Sequence, residues 1–201
     1  MERAQTMERR FEAQARMLGD TGAQVPVIEG LAARCESPTI LAVWSECGVK
    51  YTIRETICRG AFGECDMSDV IFNYNHAGRV FARNRNGTLE LRADDEGLHM
   101  RATLRADDPE HMRLHADVEN GYIRGMSFRF RIAEEERNIL ENENTVTIDY
   151  RIKKIGVVHD VSAVDIPAYG DTEIEARRRD AMTAIRANER DIERAKIMSL
   201  L

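Results

Sequence analysis

Apolar and polar residues alternate along much of the chain between residues 25 and 167, and the alternation predicts a succession of short strands. It is clearest in Gly121-Tyr-Ile-Arg-Gly-Met-Ser-Phe-Arg-Phe-Arg-Ile132. Tyr122, Met126, Phe128, Phe130 and Ile132 fall on one side, with Arg124 the exception, and Gly125, Ser127, Arg129 and Arg131 fall on the other. One face suits a core. The other is small and polar around a single hydroxyl, and Gly125 removes side-chain bulk where a second backbone has to approach. Earlier strands are predicted over 25–34, 39–44 and 50–57, and over 68–74 where an apolar strand ends at Asn75-His76. Residues 80–83 and 88–92 flank Asn86-Gly87, a strong hairpin turn signal. Leu98, Met100, Ala102 and Leu104 alternate with His99, Arg101 and Thr103, and two further strands are expected over 145–152 and 156–167, after a polar loop at 134–144.

Three segments read as helices. Met7, Phe11, Ala15 and Leu18 recur at three to four residues, which predicts an amphipathic helix broken by Gly19-Asp-Thr-Gly22. Pro109 suits the first turn of a short helix reaching about Glu119. From Asp171 the chain is charged, with a thin apolar stripe of Ile174, Met182, Ile185, Ile192 and Ala195 that suits a partner helix or a projecting arm. This divides the chain into an N-terminal helix (1–22), a central domain (23–172) and a C-terminal charged helix (173–201). The expected class is α+β: mainly an antiparallel β-barrel or closed sheet with peripheral helices.

Composition narrows the function. The 201 residues are 43% hydrophobic and 32% charged, enough for one real core. A net charge of −6, from 29 basic and 35 acidic residues, argues against a dedicated nucleic-acid binder. Residues 1–10 carry charges where a signal peptide needs an apolar core, and Ile40 to Trp44 is among the longest apolar runs, so a soluble protein with no membrane association is expected. Cys35, Cys47, Cys58 and Cys65 form no C-x-x-C pair and are expected to be free thiols. His111 and His115 stand four apart, the spacing of a two-histidine metal pair, but His-Met-Arg-Leu-His lacks the glutamate of H-E-x-x-H. An exposed helix face is expected there, with no metal and no cofactor. Arg129 and Arg131 could bind an acidic peptide segment or face solvent, and no motif supports a Cys65–His76 dyad.

Seven fragments in order then resemble the prohead maturation proteases of tailed bacteriophages, serine proteases related in fold to the herpesvirus assemblins. They are Ile28-Glu-Gly-Leu-Ala-Ala, Gly60-Ala-Phe62, Asn75-His76, Gly78-Arg-Val80, Asp95-Glu-Gly-Leu98, Gly125-Met-Ser-Phe128 and Asp160-Val-Ser-Ala-Val-Asp-Ile-Pro-Ala168. The resemblance covers about residues 27–178. Three departures stand out: Ala77 replaces the acid that commonly follows the histidine, Asp160 stands where glutamate is common, and no arginine lies between Val161 and Tyr169 to supply an assemblin-like oxyanion pair.

The resemblance implies a serine endopeptidase with Ser127 as nucleophile, His76 as general base and Asp160 as the acid that orients the histidine. His159 is the neighbouring alternative, but adjacent strand residues point to opposite faces and only one of the two can look toward His76. Asp149 reads as solvent-facing. The implied substrates are the phage major capsid protein and scaffold segments, with self-processing and a homo-oligomer in view, and the implied location is the assembling procapsid in the bacterial host's cytoplasm. The helical ends are expected to serve assembly. The rival readings are an inactive capsid-assembly or scaffold protein of the same fold and, less favoured, a metal-dependent hydrolase.

Overall fold

The alternating segment around Ser127 opens a long strand, β10 (Gly125–Asn142), which turns through two residues into the 20-residue β11 (Thr145–Val164). A computed structural model describes residues 4–9, 13–18 and 25–165 and positions 182, 183, 185 and 190. The other strands are β1 (Ala4–Arg9), β2 (Ala13–Leu18), β3 (Val25–Arg34), β4 (Thr39–Glu46), β5 (Val49–Ile57), β6 (Ile71–Tyr74), β7 (Ala77–Arg83), β8 (Leu89–Ala93) and β9 (Gly97–Thr103). The helix α1 (Pro109–Glu119) begins where Pro109 places it, with the Asp108 carboxylate accepting from the Glu110 backbone N–H.

The strands form two sheets. The seven-stranded sheet follows the path β1-β10-β11-β5-β4, with β6 parallel to β11 and β7 antiparallel to β6; the four-stranded sheet runs β2-β3-β9-β8. Both paths have open ends, so the expected barrel or closed sheet is not formed among the described residues. The molecule is a mainly β, α+β protein. At Gly97 (φ +154°) a Cβ would lie 1.8 Å from the Ala33 carbonyl oxygen, so only glycine lets β9 start this close to β3.

The chain divides into two compact units. The first comprises Met1–Ser37, Ile57–Glu135 and Ile152–Ala168. Its core gathers Ile28, Phe72, Leu98, Phe128, Phe130 and Val161, with Leu114 and Val118 from α1, which packs on β2 and β3. Phe128 and Phe130 stack at 4.5 Å on the buried face of β10, and burying each contributes about 2–3 kcal/mol. The second unit comprises Pro38–Thr56, Glu136–Arg151 and Tyr169–Leu201, with Ile53, Val146, Ile148, Tyr150 and Ile185 as its core and Trp44 stacked on Tyr51 at 5.1 Å.

Several expectations are corrected. The N-terminal stretch read as a helix is β1 and β2 in its described parts, because Ala13, Ala15 and Met17 also alternate and β3 offers a ladder. Tyr122 is exposed in the turn after α1, outside β10. The polar loop at 134–144 is largely β10, whose residues there are mostly exposed, so no apolar alternation marks it. Asn86-Gly87 does turn the chain, with Gly87 left-handed, but β7 and β8 enter different sheets and form no hairpin. Asp149 is buried, held by Arg54 at 2.9 and 3.2 Å. Four positions of the expected C-terminal helix are described: 182, 183, 185 and 190 are helical. The rest of that helix, and residues 166–167 of the last expected strand, lie outside the described residues.

Candidate active site

Three strands of the first unit bring the polar residues together. Ser127 is the third residue of β10, on the face opposite Met126, Phe128 and Phe130. Gly125 lets β10 close on β11: a Cβ there would lie 2.8 Å from Val164 Cγ2 and 3.0 Å from the Val164 carbonyl oxygen. Phe62, from the Gly60-Ala-Phe62 turn, packs against Phe128 beneath the serine strand. Asp160 lies on β11, and the parallel pairing of β11 with β6 places it opposite Ile71 and Ser162 opposite Asn73.

The β6–β7 connection carries His76. Tyr74 pairs with Ala77, leaving Asn75 and His76 as a two-residue turn in which both have positive φ, 50° and 55°. That is the pattern of a type I′ turn, where glycine is the usual second residue. A histidine held there costs on the order of 1 kcal/mol and persists because the surroundings hold it. The Asn75 N–H donates to the Ala163 carbonyl at 3.0 Å, and the Asn75 side-chain oxygen accepts from the Asp165 N–H at 3.3 Å. The turn is thereby tied to the strand that carries Asp160.

The side chains meet in one line. His76 Nδ1 lies 2.5 Å from Asp160 Oδ1, and His76 Nε2 lies 2.7 Å from Ser127 Oγ. Ser127 and Asp160 are buried, and the imidazole keeps 10% of its side-chain surface exposed. With its proton on Nδ1 the neutral imidazole donates to the carboxylate and its Nε2 accepts from the serine hydroxyl. Ser162 Oγ, fully buried, lies 3.1 Å from His76 Nδ1 and 3.0 Å from Asp160 Oδ1, with the Asn73 side-chain oxygen as a second neighbour within hydrogen-bond reach. Arg129, two residues beyond Ser127 on the same face, places Nη1 3.4 Å from Asp160 Oδ2 and donates from Nη2 to the His76 carbonyl at 3.4 Å.

The structure thus brings His76, Ser127 and Asp160 together and leaves His159 exposed on the opposite face of β11. Sequence reasoning missed the parts played by Asn73, Ser162 and Arg129. The available signals were a polar Asn73 inside an otherwise apolar strand and the i, i+2 spacing of both Asp160 with Ser162 and Ser127 with Arg129. His111 and His115 are buried, which corrects the exposed face expected for them. His111 Nδ1 accepts from the Arg105 N–H at 3.1 Å, and His115 Nε2 donates to the Arg16 carbonyl at 3.1 Å, so each has a structural role. Burial pushes the Cys65 thiol up to about 11, and it is no thiolate at neutral pH. All four cysteines are free thiols.

Residues 13–185 match the family described as caudovirus prohead serine protease. The chain belongs to that family. This prohead protease is therefore a serine protease. Among solved structures it is similar to the bacteriophage T4 capsid assembly protease, gp21, with 13% identity over 79% of this chain and 100% of that chain. The TM-score is 0.36, a likeness too loose to carry any position across. Curated proteins give no match. Among the described residues no helix is long and apolar enough to cross a membrane.

Proposed function

We propose that this prohead protease cuts peptide bonds with Ser127 as nucleophile, His76 as general base and Asp160 as the orienting acid. The observation that carries the reading is the unbroken chain of contacts, 2.7 Å from Ser127 Oγ to His76 Nε2 and 2.5 Å from His76 Nδ1 to Asp160 Oδ1. A serine hydroxyl is a weak nucleophile at neutral pH until a base within hydrogen-bond reach takes its proton. As Oγ attacks the scissile carbonyl, its proton passes to Nε2. The imidazolium is then stabilised by the buried Asp160 carboxylate, and it returns the proton to the departing amine. The acyl-enzyme is released by water, activated through the same nitrogen. All of these groups are side chains of the protein, and the reaction draws on no cofactor.

The substrates in this reading are the capsid and scaffold segments of an assembling phage procapsid, together with segments of the protease itself. The site of action is the procapsid interior within the bacterial host. The family supports the substrate class and the geometry supports the chemistry. Ser127→Ala tests both: co-expressed with its capsid protein, the folded variant should leave capsid and scaffold segments uncut. Turnover should fall by a factor on the order of 10⁴ to 10⁶. Unchanged processing by the folded variant would end the reading.

A further inference from the structure

The Asp160 carboxylate turns one oxygen toward the base and the other toward a cation. Oδ1 has His76 Nδ1 at 2.5 Å and the Ser162 hydroxyl at 3.0 Å, while Oδ2 faces Arg129 Nη1 at 3.4 Å. A carboxylate rotates readily about its last bond, with two equivalent settings half a turn apart. The plane in which Oδ1 meets the imidazole therefore depends on what holds Oδ2. Only 3% of the Asp160 side chain is exposed, so water has little access to Oδ2 in place of the guanidinium.

The second arm of the same guanidinium reaches the base. Arg129 Nη2 donates to the His76 carbonyl at 3.4 Å, on the backbone of a turn in which Asn75 and His76 both have positive φ. Residues other than glycine stay in that region only where their surroundings hold them. The stem of Arg129 is fixed by β10, two residues beyond Ser127 and on the same face. One planar group thus links the strand of the serine, the turn of the histidine and the strand of the acid. A partly exposed ion pair contributes little to stability. Geometry is where this one carries weight, because a misplacement of about 1 Å in an active site costs about a hundredfold in rate. We propose that Arg129 is a positioning residue of the protease. Its fork fixes the Asp160 carboxylate and the His76 backbone relative to Ser127, and the chemical step depends on it while ligand binding does not. Lysine cannot replace it, since a single ammonium does not span the two acceptors as two separate nitrogens do. The proposal rests on the reading of Ser127, His76 and Asp160 as nucleophile, base and acid.

The test uses the full chain and a fluorescein-tagged fluorophosphonate, which labels a serine activated by its base. The saturating labelling rate is separated from the half-saturating concentration. Arg129→Ala should lower the rate by about tenfold to a hundredfold, with the half-saturating concentration within about twofold of wild type. Arg129→Lys should stay at least about fivefold below wild type in rate. Because 38% of the Arg129 side chain is exposed, a small cation from solvent can enter the place it leaves. Guanidinium chloride below denaturing concentrations should raise the Arg129→Ala rate at least about fivefold, and methylammonium chloride at equal ionic strength should not. Neither salt should change the wild-type rate, and a merely structural role would give no such selective rescue. Wild-type rates in both variants, a loss confined to the half-saturating concentration, or equal rescue by the two cations would overturn the proposal. If circular dichroism shows Arg129→Ala unfolded, Arg129→Lys decides alone, and a rate within about twofold of wild type overturns it. The reading beneath fails separately: a Ser127→Ala variant labelled as fast as wild type, or a wild-type chain that takes no label, would remove the activated serine whatever the Arg129 variants do.

Discussion

Replacing Asp160 by asparagine keeps the volume of the side chain and removes its charge, so it isolates what the carboxylate does. Asp160 is 2% exposed, with His76 Nδ1 at 2.5 Å, the Ser162 hydroxyl at 3.0 Å and the Arg129 guanidinium at 3.4 Å. An amide nitrogen turned toward His76 would donate, and Nδ1 would have to accept. The imidazole proton would then sit on Nε2, aimed at the Ser127 oxygen 2.7 Å away, where a base is needed. The imidazolium formed during attack would also lose its counter-charge. Together these effects should lower turnover by up to about 10⁴-fold, or about 5.5 kcal/mol of transition-state stabilisation. The assay is cleavage of co-expressed capsid protein followed over time, with a thermal melt to show that the variant is folded. His159→Ala is the internal control. Its side chain is exposed on the other face of β11, and its turnover should stay within about twofold of wild type. A crippled His159→Ala, or a folded Asp160→Asn variant within about tenfold of wild type, would refute the assignment of the acid.

Ser162→Ala removes a hydroxyl that touches the Asp160 carboxylate and the imidazole, and a hydrogen bond to a charged group of about 1.5–3 kcal/mol predicts a turnover loss of roughly tenfold to a hundredfold, read in the same assay with KM little changed. Gly125→Ala puts a Cβ against Val164 and should destabilise the fold by about 1–3 kcal/mol in denaturant titration. The pH dependence of stability should carry the signature of His111, which desolvation holds below its ordinary 6.5. A histidine depressed in the folded state binds fewer protons folded than unfolded. Its contribution is therefore complete above 6.5 and lost as the pH falls from there through the folded value; His111→Gln should flatten that part of the curve.

Much of the site was legible in the chain because strand alternation is a local property. The i, i+2 pattern from Met126 to Ile132 put Ser127 on the face opposite Phe128 and Phe130, and the same parity separated Asp160 from His159. The order of short fragments nominated His76, Ser127 and Asp160 without a single contact being visible. What a strand pairs with is not local. Residues 13–18 satisfy both a helical and a strand spacing, and only the edge offered by β3 selects the strand. Asn86-Gly87 encodes a turn but not the sheets its flanking strands join. Asp149 looked solvent-facing, yet Arg54, 95 residues away in sequence, allows it to be buried. The convergence of Asn73 and Ser162 under Asp160 likewise comes from chain crossings. Main-chain hydrogen bonds and charge pairs act over a few ångströms, and tertiary structure alone decides which distant residues come within that range.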